Sequence, residues 1–540
     1  MAETPIRPES ATVTDSGLFV RNATGLVRGM SQRASVVLNF IPGHPTQTLA
    51  AVLFAFLALF PGANPYLALL IVLPMTLSFS YAFGMLTAII PRSGGDYMIV
   101  SRVLSPLLGI VSSFCMTMAG LLSNAFFGIA FVTSALGPSF VVIGTVGHHQ
   151  SLIDFGTKIS THRNWEFGLG SAMIVVACLI HLAGWRWMIR FLSILFWLVT
   201  GGMLLSVAVL LFTGKSSFAK NFDSFAGTGE YQNTIARAVK AGTQVNPSFS
   251  FGQTIILVAG LATVSIYCYW SSFVGGELRQ ASTLKTANNM ARAGVGGLIV
   301  VAIFGAIILH SVGSQFMIAA NGGGLSSNFP FAPSFIFLSA ASLGNTLFAI
   351  LVAICYCVFW PLITWLSLLQ PTRMLFAYSF DGMLPKAFAK TTRGGAPWVS
   401  VIASGAASIV VLWWATGSGS FFKALAYATL IQLVAMGLVG VSAALVPWRR
   451  PELYRGSASQ LRFAGIPVTT IAGAGAVLTA VFLWIVFLSE PKLGIADHAS
   501  FFVWCLGTIA AGIVFYAAAY GIRRSQGVNV NRAFAEIPPE

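Results

Sequence analysis

Apolar runs of about twenty residues recur along the whole 540-residue chain, separated by short polar segments. A helix rises 1.5 Å per residue, so a run of about twenty residues matches the roughly 30 Å hydrocarbon core of a bilayer. Only 8% of the residues are charged, whereas a soluble protein carries about 25%. The sequence therefore predicts an all-α integral membrane protein, embedded in the lipid bilayer, with about twelve transmembrane helices.

Hydropathy windows of about 19 residues give the approximate positions of these spans. The predicted spans are 30–60, 65–89, 104–136, 167–184, 188–213, 252–275, 290–315, 334–369, 397–416, 421–447, 466–488 and 499–521.

Basic residues are distributed unevenly between the two sets of connecting segments. With both termini on one side of the membrane, 22 of the 30 Lys and Arg residues fall on that side and 8 on the other. Since cytoplasmic loops are enriched in Lys and Arg, we expect cytoplasmic termini in a plasma or inner membrane. The net charge of +15 is explained by these loops, and no basic stripe with interleaved aromatic residues predicts a nucleic-acid partner.

Motifs for catalysis, metal binding or a resident cofactor are missing from the sequence. It contains no phosphate-binding Gly-x-x-x-x-Gly-Lys-Ser/Thr loop, no Cys/His metal spacing and no nucleophile–base pattern. All six cysteines lie in apolar runs, and the first 30 residues contain no apolar core of a signal peptide. We therefore expect no enzyme activity, no cofactor and no metal. An ion channel is a weaker alternative, because no acidic ring or filter repeat is present.

Two of the predicted spans are interrupted. Span 1 contains Pro42-Gly43-His44-Pro45, and two prolines in one turn break a helix. Span 6 carries polar and aromatic residues at mid-membrane, from Ser265 to Ser272, and ends in Gly275-Gly276-Glu277. The breaks are five helices apart, as in transporters whose inverted repeats bind substrate between two broken helices. A simple connection at residues 42–45 and a polar helix interface in span 6 are the structural alternatives.

Several segments in the chain resemble the amino acid–polyamine–organocation superfamily. Pro91-Arg-Ser-Gly-Gly-Asp-Tyr97 and the following Ser101–Gly109 segment are similar to its loop after the second helix. Gly276-Glu277-Leu-Arg279 is similar to its segment after the sixth helix. Arg373, Asp381-Gly-Met-Leu-Pro385 and Trp448-Arg-Arg-Pro-Glu452 resemble its later loops.

The resemblance implies a LeuT-like fold, with a five-plus-five inverted repeat and two further C-terminal helices. The expected organisation is a polar tail at 1–29, a core at 30–447 with repeats 30–213 and 252–447, two added helices at 448–522, and a tail at 523–540. It further implies a secondary active transporter that works by alternating access on amino acids or related organic amines.

The same resemblance implies that the two breaks bind the substrate. The candidate substrate-binding residues are Ile41, Pro42, Gly43, His44, Thr46, Ser265, Ile266, Tyr267, Tyr269 and Trp270. Gly43 is expected to permit close backbone approach. Both breaks depart from the usual family sequences, so a non-amino-acid organic solute remains the alternative substrate.

Ionisable residues in or near the membrane are candidates for gating or coupling. They are His44 in the first break, Asp96 and Arg102 after span 2, and Glu277 after span 6. Structural roles are the alternatives: a hydrogen-bonded histidine, and a salt bridge of Glu277 with Arg102 or Arg279.

The energy source is predicted from what span 8 lacks. Its middle contains Cys355 and Cys357 rather than hydroxyl ligands for sodium, and Thr364 and Ser367 are expected too near the inner end. This favours proton coupling or exchange over sodium symport, with His44 as the titratable group at the site.

The charge distribution predicts the topology directly. A cysteine introduced at Thr391 is expected to face the cytoplasm and one at Ser217 the outside, since their loops are rich and poor in basic residues respectively. An impermeant thiol reagent applied to intact cells should label Ser217→Cys and should reach Thr391→Cys only after permeabilisation. The reverse labelling would overturn the orientation.

Overall fold

The computed structural model describes residues 29–392, 394–417, 421–495, 497–526 and 534. The predicted tail at 1–29 and most of the tail at 523–540 lie outside these residues. Within them, eleven helices are long and apolar enough to cross a membrane. The interrupted segment Gln32–Leu59, which consists of shorter helical pieces, lies at the position of the first predicted span. The protein is an all-α, multi-pass membrane protein.

Spans 2 to 7 agree with the predicted positions within a few residues, except that span 3 is longer. Span 3 runs on from Ala130 through a π-helical stretch, Phe131–Leu136, and a further helix, Gly137–Gly147. The helices are, for span 2, Pro65–Ile89; span 3, Pro106–Ala130 with its extension; span 4, Arg163–Leu182; span 5, Trp185–Leu211; span 6, Phe251–Ser265 continued after a break by Trp270–Phe273; and span 7, Lys285–Val312.

Span 8 differs most from its predicted position. The predicted run 334–369 is divided at Gly344, which adopts a left-handed conformation (φ 62°) that ends the short helix Phe335–Leu343. Span 8 itself is the 35-residue helix Thr346–Phe380, about 52 Å long at 1.5 Å per residue. Because this exceeds the membrane thickness, span 8 extends beyond the bilayer. Spans 9 to 12 are Trp398–Gly417, Phe421–Arg449, Val468–Ser489 and His498–Ser525.

Short helices and one hairpin connect the spans. The hairpin pairs Arg462–Phe463 with Ile466–Pro467. The short helices are Gly95–Val103, Gln150–Thr161, Lys215–Ala226, Glu230–Lys240, Ser314–Ala319, Pro451–Arg455 and the 3-10 turns Gly275–Glu277, Lys386–Ala389 and Pro491–Leu493, with a π-type turn at Ala320–Gly324.

Local sequence explains where several spans begin. The Asn64 side chain accepts hydrogen bonds from the amides of Tyr66 and Leu67, and Pro65 occupies the first helical position. Ser105 caps span 3 in the same way, again followed by a proline. These residues satisfy amide groups that lack helical partners, and proline has no amide hydrogen to leave unsatisfied.

The prolines of span 1 divide it into an inner and an outer half. The inner helix Gln32–Phe40 leads into a 3-10 turn, Ile41–Gly43, and His44 is extended (φ −60°, ψ 132°). Helix resumes at Pro45–Gln47, continues as a π-helical stretch over Thr48–Phe54 and ends with Ala55–Leu59. Span 6 is interrupted similarly, because residues 266–269 lie between Phe251–Ser265 and the 3-10 turn Trp270–Phe273.

One end of the helix bundle gathers the most basic connecting segments, and we call it the basic face. There the segment after span 2 contacts the end of span 8 through Arg102 and Asp381. Arg450, at the end of span 10, donates a hydrogen bond to the carbonyl of Arg102.

Spans 2 and 7 cross at Gly84, where an added Cβ would collide with the backbone of Ala287. We expect Gly84→Ala to cost about 1–3 kcal/mol of stability through overpacking. Gly296→Ala in span 7 is the matched control, because a Cβ there meets nothing within 4 Å. Thermal midpoints of the purified variants should fall for Gly84→Ala alone. An equal effect of both variants would contradict the crossing.

Candidate functional site

The two helix breaks lie against each other at the centre of the bundle. The side chain of Asn39, just before the first break, accepts a hydrogen bond from the amide of Ser271 at 2.9 Å and donates one to its hydroxyl at 2.9 Å. Asn39 is fully buried. Its two bonds connect the inner half of span 1 to the inner part of span 6, so these segments are coupled mechanically.

A small cavity lies beside the breaks. The space open to the centres of water-sized spheres is about 40 Å³, which is room for about three water molecules. Spans 1, 3, 6, 8 and 10 all contribute to its wall. The lining residues are Pro42, Gln47, Ser123, Phe127, Thr263, Val264, Tyr267, Trp270, Ile363, Ser367, Gln370, Leu425, Ala428, Thr429 and Gln432.

The cavity wall is mostly apolar, and the polar side chains that it carries are uncharged at neutral pH. The amide nitrogens of Gln370 and Gln432 are held by protein acceptors, the Met116 carbonyl and the Tyr269 hydroxyl. Two wall residues carry buried polar atoms, Gln47 Oε1 and Trp270 Nε1, that have no hydrogen-bond partner among the described residues. These atoms are candidate hydrogen-bond partners for a ligand.

Three of the predicted substrate-binding residues line this cavity: Pro42, Tyr267 and Trp270. Tyr269 does not, because its ring stacks on Phe83 at a centroid distance of 3.9 Å. The remaining candidates, Ile41, Gly43, His44, Thr46, Ser265 and Ile266, are buried at or beside the breaks and are not part of the wall.

The backbone at Gly43 is less crowded than expected. A Cβ at this position would lie 3.7 Å from the Val264 carbonyl oxygen, an ordinary van der Waals distance. Thr46 lies on a separate, smaller void shared with Ser206 and Tyr356 of spans 5 and 8.

His44 is enclosed by Phe40, Phe196 and Phe359. Its Nδ1 accepts a hydrogen bond from the amide of Thr46, and its Nε2 lies 3.3 Å from the Thr200 hydroxyl, which itself donates to a carbonyl. Nε2 must then be the protonated nitrogen, so the neutral ring satisfies both contacts. In this position His44 caps the outer half of span 1.

Sequence reasoning missed the glutamines of the wall and misplaced Ser367. Ser367 lies at the cavity and donates to the Gly120 carbonyl, whereas it was expected too near the inner end. The error arose because span 8 ends at Phe380 rather than at the predicted residue 369, so Ser367 lies farther from the end of the helix than expected. To predict that Gln47, Gln370 and Gln432 lie together would have required knowledge of the contacts between spans 1, 8 and 10.

The basic face closes the inner end of this site through backbone pairing and two ion pairs. The Met30 amide donates a hydrogen bond to the Glu277 carbonyl at 3.0 Å, and the Met30 carbonyl accepts one from the Arg279 amide at 2.9 Å. Glu277 pairs with Arg373 at 2.8 Å, with both side chains almost completely buried. Arg102 pairs with Asp381 at 2.8 Å and is equally buried. The expected partners of Glu277, Arg102 and Arg279, are therefore replaced by Arg373.

Comparison with known families adds independent information. The family model described as amino acid permease matches residues 34–511, most of the chain. The chain belongs to the amino acid permease family. This confirms the resemblance to the amino acid–polyamine–organocation superfamily, with which a LeuT-like fold is consistent. None of the curated proteins compared with the permease matches it.

The buried pair Glu277–Arg373 should dominate the stability of the closed basic face. Glu277→Gln leaves the Arg373 charge buried without its partner, which typically costs about 3–5 kcal/mol. Glu452→Gln is the matched control, since the Arg450–Glu452 pair is partly exposed at 3.4 Å and such pairs contribute about 0–1 kcal/mol. Thermal midpoints should fall clearly for Glu277→Gln only, and Arg373→Gln in addition should restore part of the loss. Additive losses in the double variant would contradict the pairing.

Proposed function

We propose that this permease is a secondary active transporter of small neutral amino acids that works by alternating access. The observation that carries the proposal is the uncharged cavity at the paired helix breaks, with a free acceptor at Gln47 and a free donor at Trp270. Membership of the amino acid permease family supports a membrane transporter of amino acids.

The uncharged polar groups of the wall suit a zwitterion. The Trp270 indole N–H is able to donate to a carboxylate, and Gln47 Oε1 is able to accept from an ammonium group. Backbone groups of the interrupted residues 266–269 lie outside any helix and offer further partners. A substrate whose charges sum to zero carries no excess charge into the site.

Side-chain charge would be disfavoured at the same cavity. No lining residue offers a counter-charge, and an unpaired charge is costly to bury. Limited space, about 40 Å³, favours small side chains. Lysine, arginine, aspartate and glutamate are therefore expected to be poor substrates compared with alanine or serine.

Alternating access is supported by the contacts at the basic face, which we assign to the cytoplasmic side from its arginines. The hydrogen bonds of Asn39 connect the inner halves of spans 1 and 6, so both would move together when the ion pairs Glu277–Arg373 and Arg102–Asp381 separate. We further propose coupling to protons or to a counter-substrate, with His44 retained as a neutral cap of span 1.

Counterflow in proteoliposomes tests the proposed activity. Vesicles loaded with unlabelled L-alanine should accumulate labelled L-alanine transiently, and excess L-serine outside should compete while L-arginine and L-glutamate should not. A carrier exchanges substrate in this way, whereas a channel passes current without saturation. Absence of counterflow with every neutral amino acid would overturn the proposal.

The indole N–H of Trp270 should contribute to substrate affinity. Trp270→Phe keeps an aromatic ring but removes the donor, so we expect the KM for L-alanine to rise about 5–10-fold, the equivalent of one buried hydrogen bond. Trp360→Phe is the matched control, because its indole nitrogen also has no hydrogen-bond partner among the described residues but does not line the cavity. Equal KM values in both variants would exclude the proposed contact.

A further inference from the structure

One carboxyl at the basic face has no cationic partner among the residues that the structure describes. Asp96 lies in the first turn of the short helix Gly95–Val103 and is fully buried. Its Oδ2 accepts a hydrogen bond from the Ser112 hydroxyl of span 3 at 2.5 Å. Its Oδ1 has no hydrogen-bond partner among the described residues. Asp96 therefore differs from Glu277 and Asp381, each of which is paired with an arginine.

The groups around Asp96 do not neutralise a negative charge. The ionisable side chains that interact with it electrostatically are uncharged at neutral pH: Cys115 of span 3, Tyr269 of the span 6 break and Tyr378 of span 8. On its own short helix, Tyr97 and Arg102 both bond to Asp381. Span 2 contributes Tyr81, which donates to Asn288, and span 10 contributes Arg449 and Arg450, which donate to the Leu104 and Arg102 carbonyls.

Burial raises the pKa of Asp96 to about 7, although the Ser112 hydroxyl and nearby backbone amides lower it. A carboxyl in this setting is stable when it is protonated, because a neutral carboxyl needs no counter-charge. The unpartnered Oδ1 is the atom to which a proton would bind, with Oδ2 continuing to accept from Ser112.

Asp96 lies beside contacts between the segment after span 2 and the end of span 6, which would separate when the basic face opens. Next to it, Gly95 (φ 51°) lies so close to the Phe273 ring that a Cβ would collide with it. Ser93 and Val274 form a backbone bridge between the same two segments. Separation of span 6 from the segment after span 2 would therefore expose the Asp96 carboxyl to water.

We propose that Asp96 is a proton-binding site whose proton is bound while the basic face is closed and released when that face opens. This inference rests on the proposed alternating-access function, since it requires a second, open state. The Asp96 site is separate from His44, whose two ring nitrogens already have partners in the neutral form.

The direction of the pH effect follows from linkage. In the open, hydrated state the pKa of Asp96 would return towards about 4, whereas it is about 7 in the closed state. Between pH 4 and pH 7 the closed state binds more protons than the open state. The closed state is therefore most stable relative to the open state at the acidic end of this range, and its relative stability falls as pH rises. The opening equilibrium should increase by up to about tenfold per pH unit in this window, and it should level off above about pH 7.

Infrared titration tests the proton site without transport. In the purified full-length protein in nanodiscs, a protonated carboxyl band should titrate with a midpoint near pH 7. It should disappear in Asp96→Asn and persist in Asp154→Asn, a matched change at an exposed carboxylate. Ser112→Ala removes a bond that favours the charged form, so its midpoint should move to higher pH. A band unchanged in Asp96→Asn, or a midpoint near 4, would overturn the site.

Thiol labelling tests the connection to opening. A cysteine replacing Ser272, which is buried under the basic face, should be labelled faster at pH 6.5 than at pH 5.5. The increase should exceed that in the Asp96→Asn background, where only the titration of the thiol itself contributes. The coupling would be contradicted if the ratio of the labelling rate at pH 6.5 to that at pH 5.5 were the same in both backgrounds. Neither measurement depends on amino acid transport, so failure of the proposed function would be detected separately by the counterflow assay.

Discussion

Backbone groups that are freed by a broken helix must find partners, because the bilayer core offers no water to them. This requirement explains why the interruptions of spans 1 and 6 lie together in the interior. Asn39 satisfies part of it by binding both the amide and the hydroxyl of Ser271. His44 satisfies another part by accepting from the Thr46 amide. The remaining polar groups line a cavity, which is where a solute would replace the missing partners.

Charge is arranged differently at the cavity and at the basic face. The cavity wall holds glutamines, hydroxyls and aromatic rings but no ionised side chain. In the described part of the chain, the basic face holds two buried arginine–carboxylate pairs and one buried carboxyl without a cation. Paired charges are costly to separate, so they would stabilise the closed arrangement, while the proposed role of the carboxyl without a counter-charge is to bind a proton. In the proposed cycle, different residues select the solute and control opening.

Much of the fold was predictable because apolar run length and proline position act locally. The prolines at 42 and 45 were sufficient to predict the first break, and loop charge divided the connecting segments into two sets. Span 8 was misjudged because hydropathy windows do not recognise the left-handed turn at Gly344 that resets the start of the helix. Because the helix runs on to Phe380, Ser367 lies at the cavity rather than near the end of the span.

Contacts between segments that are far apart in the sequence could not be predicted from local sequence patterns. Glu277 was expected to pair with Arg102 or Arg279, yet Arg373, 96 residues away, is its partner. Gln47 carried no motif, and only the meeting of five spans places it at the cavity wall. The aromatic residues of span 6 were recognised as a group, but the stacking of Tyr269 on Phe83 separates it from Tyr267 and Trp270.

The central claim is that a neutral zwitterion occupies the cavity between the two breaks, and ligand-dependent thermal stability tests it most directly. Purified wild-type protein and Trp270→Phe should be heated with alanine, serine, arginine, glutamate and putrescine, each in turn. The account predicts that the small neutral amino acids raise the thermal midpoint of the wild type and raise that of Trp270→Phe much less, because ligands that bind the folded state stabilise it in proportion to their affinity. Stabilisation by arginine, glutamate or putrescine, or an equal shift of both proteins by alanine, would contradict it.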